Sequence, residues 1–354
     1  MWIETFCEMV RVDSESGDEA RFIEHLGTIL QRELGHSSEI DSYGNLVCRI
    51  PAKNSQADPV LLAAHADTVS PGKGIEPIIE EGIIRSAGDT ILGADDKAGI
   101  AEIIHALQKV EHHPPVEIVV VRNEEIGFFG SKNLDVSLVT AKRGILMDSD
   151  VLDAVVIGGP SHFLLDITVH GRAAHAGMEP EKGVSAIRTA ALAIAQFPEG
   201  RVDEETTANV GTIHGGIIRN GIPETVELKA ECRSLDDNKA QALCEKMESA
   251  FREAASNRDA SVEIRTQKAS RAYRLSETQP MVQTALRAIA SVGLAARTNV
   301  MTGGTDASVY NEKGIETVVM GIGARNEHST QESIAISDME TATDILCSML
   351  RELS

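Results

Sequence analysis

Residues 59–72 read PVLLAAHADTVSPG, an apolar run of strand length that stops at a histidine and an aspartate two positions apart. On an extended strand, residues i and i+2 share a face, so His65 and Asp67 project together from the end of a hydrophobic element. A run with so little polar alternation suits a strand covered on both faces, as in a parallel sheet lined by helices. The same grammar continues around it. YGNLVCRI (43–50), VEIVVVRNEE (116–125) and RGILMDSD (143–150) read as further apolar runs of this kind, GADDKAGIAEIIHALQKV (93–110) as a helix and SKNLDVSLV (131–139) as a short connecting segment. Strands alternating with helices predict an α/β fold with a largely parallel sheet.

The pattern then changes. FLLDITVHG (163–171), TANVGTIHGG (207–216), TVELKAECRS (225–234) and SVEIRTQKA (261–269) read as strands, with helices over VSAIRTAALAIAQF (184–197) and NKAQALCEKMESAFREAASNR (238–258). This βαββαβ order is that of a ferredoxin-like α+β unit. After residue 270 the α/β pattern returns, with a helix in QPMVQTALRAIASVG (279–293), a strand in ETVVMGIG (316–323) and a final helix from Ser337. The simplest account is a small domain inserted into a larger one: residues 1–160 and 271–354 form the larger domain and 161–270 the insert.

Composition narrows the function classes. The chain has 354 residues, 42% of them hydrophobic, and no apolar stretch long enough to span a bilayer. The net charge of −21 opposes binding to nucleic acid or anionic membranes. Five scattered cysteines (Cys7, Cys48, Cys232, Cys244 and Cys347), never spaced as CxxC, read as buried thiols in a reducing compartment. With no basic, then apolar, leader at the N-terminus, the expected location is the cytoplasm.

In open α/β sheets, functional groups gather beyond the carboxyl ends of the strands. His65 and Asp67 follow PVLLAA, Glu124 and Glu125 follow VEIVVVRN, Asp148 follows RGILM, His328 follows VVMGIGARNE, and Asp95 precedes AGIAEIIHALQKV. Each alone is ordinary. Together, two histidines and several carboxylates aimed at one sheet edge have the composition of a site for divalent metals.

HADT (65–68), GADDKAGIAEII (93–104), NEEIGFFGSKNL (123–134), HAGMEPEKGVSAI (175–187), GTIHGGIIRNGIP (211–223) and the late histidine of NEHS (326–329) occur in order. In these motifs the sequence resembles the dinuclear zinc peptidases and deacylases of the peptidase T, glutamate carboxypeptidase and succinyl-diaminopimelate desuccinylase superfamily, and within it the peptidase T-like members. The resemblance implies a zinc-peptidase-type mixed sheet flanked by helices, with the insert as lid and dimerisation domain. It implies two divalent ions, zinc first, with cobalt or manganese also suited to the ligands. His65 and Asp148 would bind one ion, Glu125 and His328 the other, and Asp95 both. Glu124 would be the general base, and Asp67 would accept a hydrogen bond from the outer ring nitrogen of His65, fixing its tautomer. Three ligand carboxylates and a hydroxide balance two divalent cations. Asp150 and Asp153 lie near enough in sequence to compete with Asp148, and Asp96 would serve as an acid at the helix N-terminus.

On the insert, the resemblance implies that His214 reaches a partner subunit's site to stabilise the oxyanion, with His175 competing for that role. Asn220 and Arg233 occupy positions where the family holds substrate, a guanidinium suiting a peptide carboxylate; the alternative for Arg233 is an ion pair at a strand end. TGGTDAS (302–308) offers the N–H groups of Gly303 and Gly304, or a tight turn. His25, His36, His105, His112 and His113 carry no implied role. The expected function is a metallo-aminopeptidase acting on short peptides, tripeptidase-like, and working as a homodimer through the insert. The alternative keeps the chemistry on an N-acyl amino acid or at a peptide C-terminus, and a non-catalytic metal-binding protein is a third reading. One departure stands out: strict peptidase T sequences read DEEIG where this chain has NEEIG, with Asn123.

Overall fold

The computed structural model describes residues 2–354 and divides into two compact units. The first comprises Met1–Gly158, Arg274–Val300 and Thr305–Ser354, and the second Gly159–Tyr273 with Met301–Gly304. Met301–Gly304 thus group with the insert, although chain order places them beyond it.

The first unit is built on an eight-stranded mixed sheet. Its order is Ser38–Ile40, Leu46–Ile50, Val116–Val121, Val60–His65, Arg143–Ser149, Glu316–Gly321, Ala154–Val156 and Arg297–Asn299. The four central strands, Val116–Val121 to Glu316–Gly321, run parallel. Val60–His65 and Val116–Val121 are buried at every position, which is why neither alternates in sequence. The helix Ala94–Lys109 packs on Val60–His65 and Arg143–Ser149, and Ile336–Glu352 packs on that helix. Gly99 allows the approach: a Cβ there would collide with the Asp96 carboxylate and the Met147 carbonyl. The two N-terminal helices, Trp2–Val10 and Ala20–Leu34, were not singled out by sequence reading; they contribute Phe6, Met9, Phe22, Leu26 and Ile29 to the same core.

A second, four-stranded antiparallel sheet was also not foreseen. It joins Pro77–Glu80, Ile83–Ser86, Ser333–Ala335 and Ala324–Arg325. These strands are two to four residues long and partly exposed, so they leave no period to read. The loop between the last two carries His328.

In the second unit the strands lie in the order Thr206–Gly215, Thr225–Ser234, Ser161–His170, Ser261–Ser270, all antiparallel, with Gly200–Arg201 added at one edge. That order is the ferredoxin-like one. Helices Ala186–Ile194 and Asp237–Ser256 pack on the sheet, their first turns capped by Ser185 and Asp236. Phe163, Leu165, Ile167, Val169, Leu228, Met247 and Phe251 form a core of their own. All five cysteines are buried and free, and no helix among the described residues is long and apolar enough to cross a membrane.

Phe251 is 1% exposed and its ring centroid lies 6.1 Å from that of Phe197. Phe251→Ala is expected to destabilise the second unit by about 3–5 kcal/mol, read as a lower urea midpoint for its unfolding transition.

Candidate dinuclear metal centre

The parallel strands deliver their terminal residues to one edge. His65 ends the strand Val60–His65, and its backbone N–H donates to Asp96 Oδ2 at 3.1 Å. Asp96 is fully buried and makes no helix cap, so the expected helix-terminal role is replaced by a tie to the strand end. Residues 95 and 96 both leave helical geometry, the peptide between them is cis, and regular helix begins only after them.

Asp95 faces two histidines. Its Oδ1 lies 3.0 Å from His65 Nε2 and its Oδ2 lies 3.2 Å from His328 Nε2. Asp148 Oδ1 is 3.7 Å from His65 Nε2, and Glu125 Oε1 is 3.0 Å from His328 Nε2. The five side chains therefore form a chain of contacts from Asp148 through His65, Asp95 and His328 to Glu125, centred on Asp95. Asp150 is exposed and Asp153 pairs with Arg297 at 3.0 Å, so neither joins it.

The outer nitrogen of His65 behaves differently from expectation. Nδ1 lies 2.8 Å from the main-chain carbonyl of Asp67 and 3.6 Å from its carboxylate. The carboxylate instead holds the next turn: Oδ1 accepts from the N–H of Glu124 at 2.9 Å, and Oδ2 from the N–H of Glu125 at 3.2 Å and from Ser16 Oγ at 2.8 Å. Asp67 thus orients the histidine through its backbone and the glutamate pair through its side chain. One residue serves both.

The turn of Asn123 is gripped from the N-terminal segment. Glu19 is fully buried; Oε2 accepts from Arg122 Nη2 at 2.7 Å and Nε at 2.9 Å, and Oε1 accepts from the Asn123 side-chain amide, from its backbone N–H at 3.2 Å and from the Gly17 N–H at 2.8 Å. Tyr43 Oη donates to Asn123 Oδ1 at 3.0 Å. Asn123 also sits at φ 56°, a left-handed conformation that asparagine tolerates better than most residues. The departure from DEEIG has a local cause: an aspartate here would set a second carboxylate against Glu19.

Burial and like charge shape the acids. Desolvation raises Glu124 well above the ordinary glutamate range, opposed by His65 and reinforced by Asp148, Asp306 and Glu125. Asp148 is raised for the same main reason. Burial works against the His65 cation, but Asp67, Asp95 and Asp148 together raise its pKa well above normal. His328 is pushed up to about 10, by Asp95 first and Glu125 next.

This donor set fits divalent metal ions. Asp148 Oδ2 and Glu125 Oε1 are buried without a hydrogen-bond partner, the latter despite its short distance to His328, so the imidazole and carboxylate face each other as fellow ligands do. Within the described residues, His65, Asp95 and Glu125 bring ligand atoms within 4.8 Å of one another, as do His65, Asp96 and Asp148. Imidazole and carboxylate donors suit zinc, cobalt or manganese.

The remaining expected residues lie on the second unit. His214 is exposed on Thr206–Gly215, opposite Glu227. His175 Nδ1 accepts the N–H groups of Gly177 and Met178 at 3.2 and 3.1 Å, shaping its own turn. The Asn220 carbonyl accepts from the Ala176 N–H at 2.9 Å. Arg233 pairs with Glu231 at 3.0 Å, and His162 meets the same carboxylate at 2.8 Å, which lowers Glu231 to about 2. The ion-pair alternative is the arrangement observed for Arg233. Gly303 and Gly304 lie in the short segment Met301–Gly304. Of the histidines without an implied role, His105 stacks on Trp2, His25 pairs with Glu8 and His113 contacts the Pro114 carbonyl.

Sequence reasoning passed over Glu19, Asp306 and Glu332. Asp306 is fully buried and bonded to Ser131 Oγ, and burial pushes it up to about 6. It stands within TGGTDAS, where the glycine pair is the more conspicuous feature. Burial pushes Glu332 up to about 7 against the pull of three N–H groups; only its place four residues after His328 could have drawn notice.

A family model described as Peptidase family M28 matches residues 45–156, and one described as Peptidase dimerisation domain matches 162–259. The uncharacterized protein YqjE of Bacillus subtilis is 34% identical, covering 99% of this chain and 97% of that one. Aminopeptidase PepT from Bacillus cereus superposes with a TM-score of 0.86 at 35% identity, over 99% of this chain and 98% of that one. The chain belongs to the peptidase T-like metallopeptidases. A tripeptidase from Staphylococcus aureus is similar to this metallopeptidase over 99% of its length and 97% of that chain, with a TM-score of 0.91 and 32% identity. The protein is accordingly a metal-dependent hydrolase of peptide bonds.

Asn123→Asp in this metallopeptidase is expected to cost about 1–3 kcal/mol by leaving two carboxylates face to face in a buried turn. Chemical denaturation reads the loss, and adding Glu19→Gln to the same chain should recover part of it.

Proposed function

We propose that this metallopeptidase is an aminopeptidase of short peptides, tripeptidase-like, that uses two divalent ions with Glu124 as general base. The observation that carries the reading is Asp95, whose two oxygens address His65 and His328 separately while Glu124 lies buried beside them. His65, Asp148 and Asp95 would hold one ion, and Glu125, His328 and Asp95 the other. Bound there, two divalent ions supply Lewis acidity to the scissile carbonyl and acidify the attacking water. Glu124, raised by burial, takes the water's proton and delivers it to the leaving amine. Asp67 fixes the main chain of the glutamate pair by accepting both backbone N–H groups.

The names of the Bacillus cereus and Staphylococcus aureus neighbours support short peptides cleaved from a free N-terminus. Arg233 already pairs with Glu231, so the guanidinium that would anchor a carboxylate in the alternative reading is not free to single that reading out. We also propose a homodimer through the second unit. The match to a dimerisation domain supports it, and so do Ile213, Ile217 and Ile218, large apolar side chains exposed on the segment that carries His214. Buried free thiols suit a cytoplasmic location.

Di- and tripeptides should be cleaved, their N-acetylated forms spared, and activity removed by a chelator should return with zinc, cobalt or manganese. In the same assay Glu124→Gln should keep its metal and lose roughly 100- to 10,000-fold in kcat, whereas His328→Ala should lose metal. Equal metal loss in both variants, or cleavage confined to acylated substrates, would sink the reading. Light scattering on the eluting protein should give the mass of a dimer; a monomer at working concentration removes His214 from any role in a partner's site.

A further inference from the structure

Both oxygens of the Glu332 carboxylate are occupied by main-chain donors. Oε2 accepts the N–H groups of Leu92 and Gly93, each at 2.7 Å, and Oε1 accepts that of Asp95 at 3.0 Å. The residue is 2% exposed. Three N–H groups can converge because Gly93 adopts φ 72° and ψ 30°, a left-handed conformation that turns successive amides toward one point and makes a concave anion seat.

Glu332 closes the loop that bears His328. Ser329 Oγ donates to the Asn326 carbonyl at 2.7 Å, the Glu332 N–H donates to the Ser329 carbonyl at 3.0 Å, and the chain then enters the small sheet at Ser333. His328 itself sits at φ 59° with a side chain that is 54% exposed. Packing does not hold this imidazole. Its loop does, and the loop's buried anchor is Glu332.

We propose that Glu332 is a positioning residue for the metal centre, fastening the main chain of Asp95 to the loop of His328 so that one buried contact sets the bridging carboxylate and the exposed imidazole together. The inference rests on the two-metal reading of the site. Glu332 acts through the ligands it places. Replacing it by glutamine turns an amide N–H₂ toward one or more of the three donors and leaves at least one buried N–H unpaired.

The test is zinc affinity of metal-stripped protein, measured by competition with a coloured chelator and checked by the visible absorption of the cobalt(II) form. In Glu332→Gln the weaker of the two ions should bind roughly 10- to 100-fold less tightly, the range typical for loss of a partner that orients a ligand, with an altered cobalt spectrum. Glu117→Gln is the control for a merely structural carboxylate. Glu117 likewise accepts three backbone and hydroxyl donors from Thr140 and Ala141, but at the opposite end of the Val116–Val121 strand. It should lower thermal stability and leave both affinities unchanged. Wild-type affinities in Glu332→Gln, or equal weakening in Glu117→Gln, overturn the proposal. If Glu332→Gln does not fold, Glu332→Asp, one methylene short of its donors, is read in the same way. A wild-type chain that takes up a single ion overturns the two-metal reading, and the role of Glu332 is then decided by whether that ion binds more weakly in the variant.

Discussion

The crowding of carboxylates at the ends of three parallel strands is the constraint to which the rest of the first unit answers. Asp67, Asp95, Asp96, Glu124, Glu125 and Asp148 are concentrated there, with the imidazoles of His65 and His328 among them. Buried charge of one sign is costly unless each group is paired or solvated by fixed dipoles. The fold meets that cost in two ways. Main-chain N–H groups are turned onto Asp67 and Asp96, and Asp95 faces two imidazoles, while Asp148 Oδ2 and Glu125 Oε1 are left buried without a hydrogen-bond partner.

Much of this was legible in the sequence, for a definite reason. Strands buried on both faces lose their alternation, so PVLLAAH and VEIVVVR advertise the parallel sheet, and strand ends in such sheets predict where ligands gather. The insert could be read because its long antiparallel strands, such as Thr225–Ser234, do alternate between buried and more exposed positions. The grouping of His65, Asp95, Asp148, Glu125 and His328 followed from motifs in order.

What could not be read is equally specific. The small sheet bearing the His328 loop has strands too short for any period. The choice between the carbonyl and the carboxylate of Asp67 as partner of His65 Nδ1 is a matter of under 1 Å in the path of the turn after the strand, with 2.8 Å to one oxygen and 3.6 Å to the other. Glu19 and Glu332 sit in unremarkable polar stretches, and their partners are fixed only by tertiary folding. An acid whose partners are backbone amides leaves no complementary residue in the sequence to betray it.

The contact between Glu332 and the turn of Leu92–Asp95 spans 237 to 240 positions of the chain. Closing the chain over such a separation has an entropy cost that precedes any reward, which favours local contacts forming first. During synthesis, His65, Asp95, Glu125 and Asp148 all emerge well before His328 and its anchor. A chain cut short before residue 328 therefore carries four of the proposed ligands without His328 or the buried strut of its loop. On the two-metal reading, the proposed centre is complete only once the C-terminal segment carrying His328 and Glu332 has joined the turn of Leu92–Asp95.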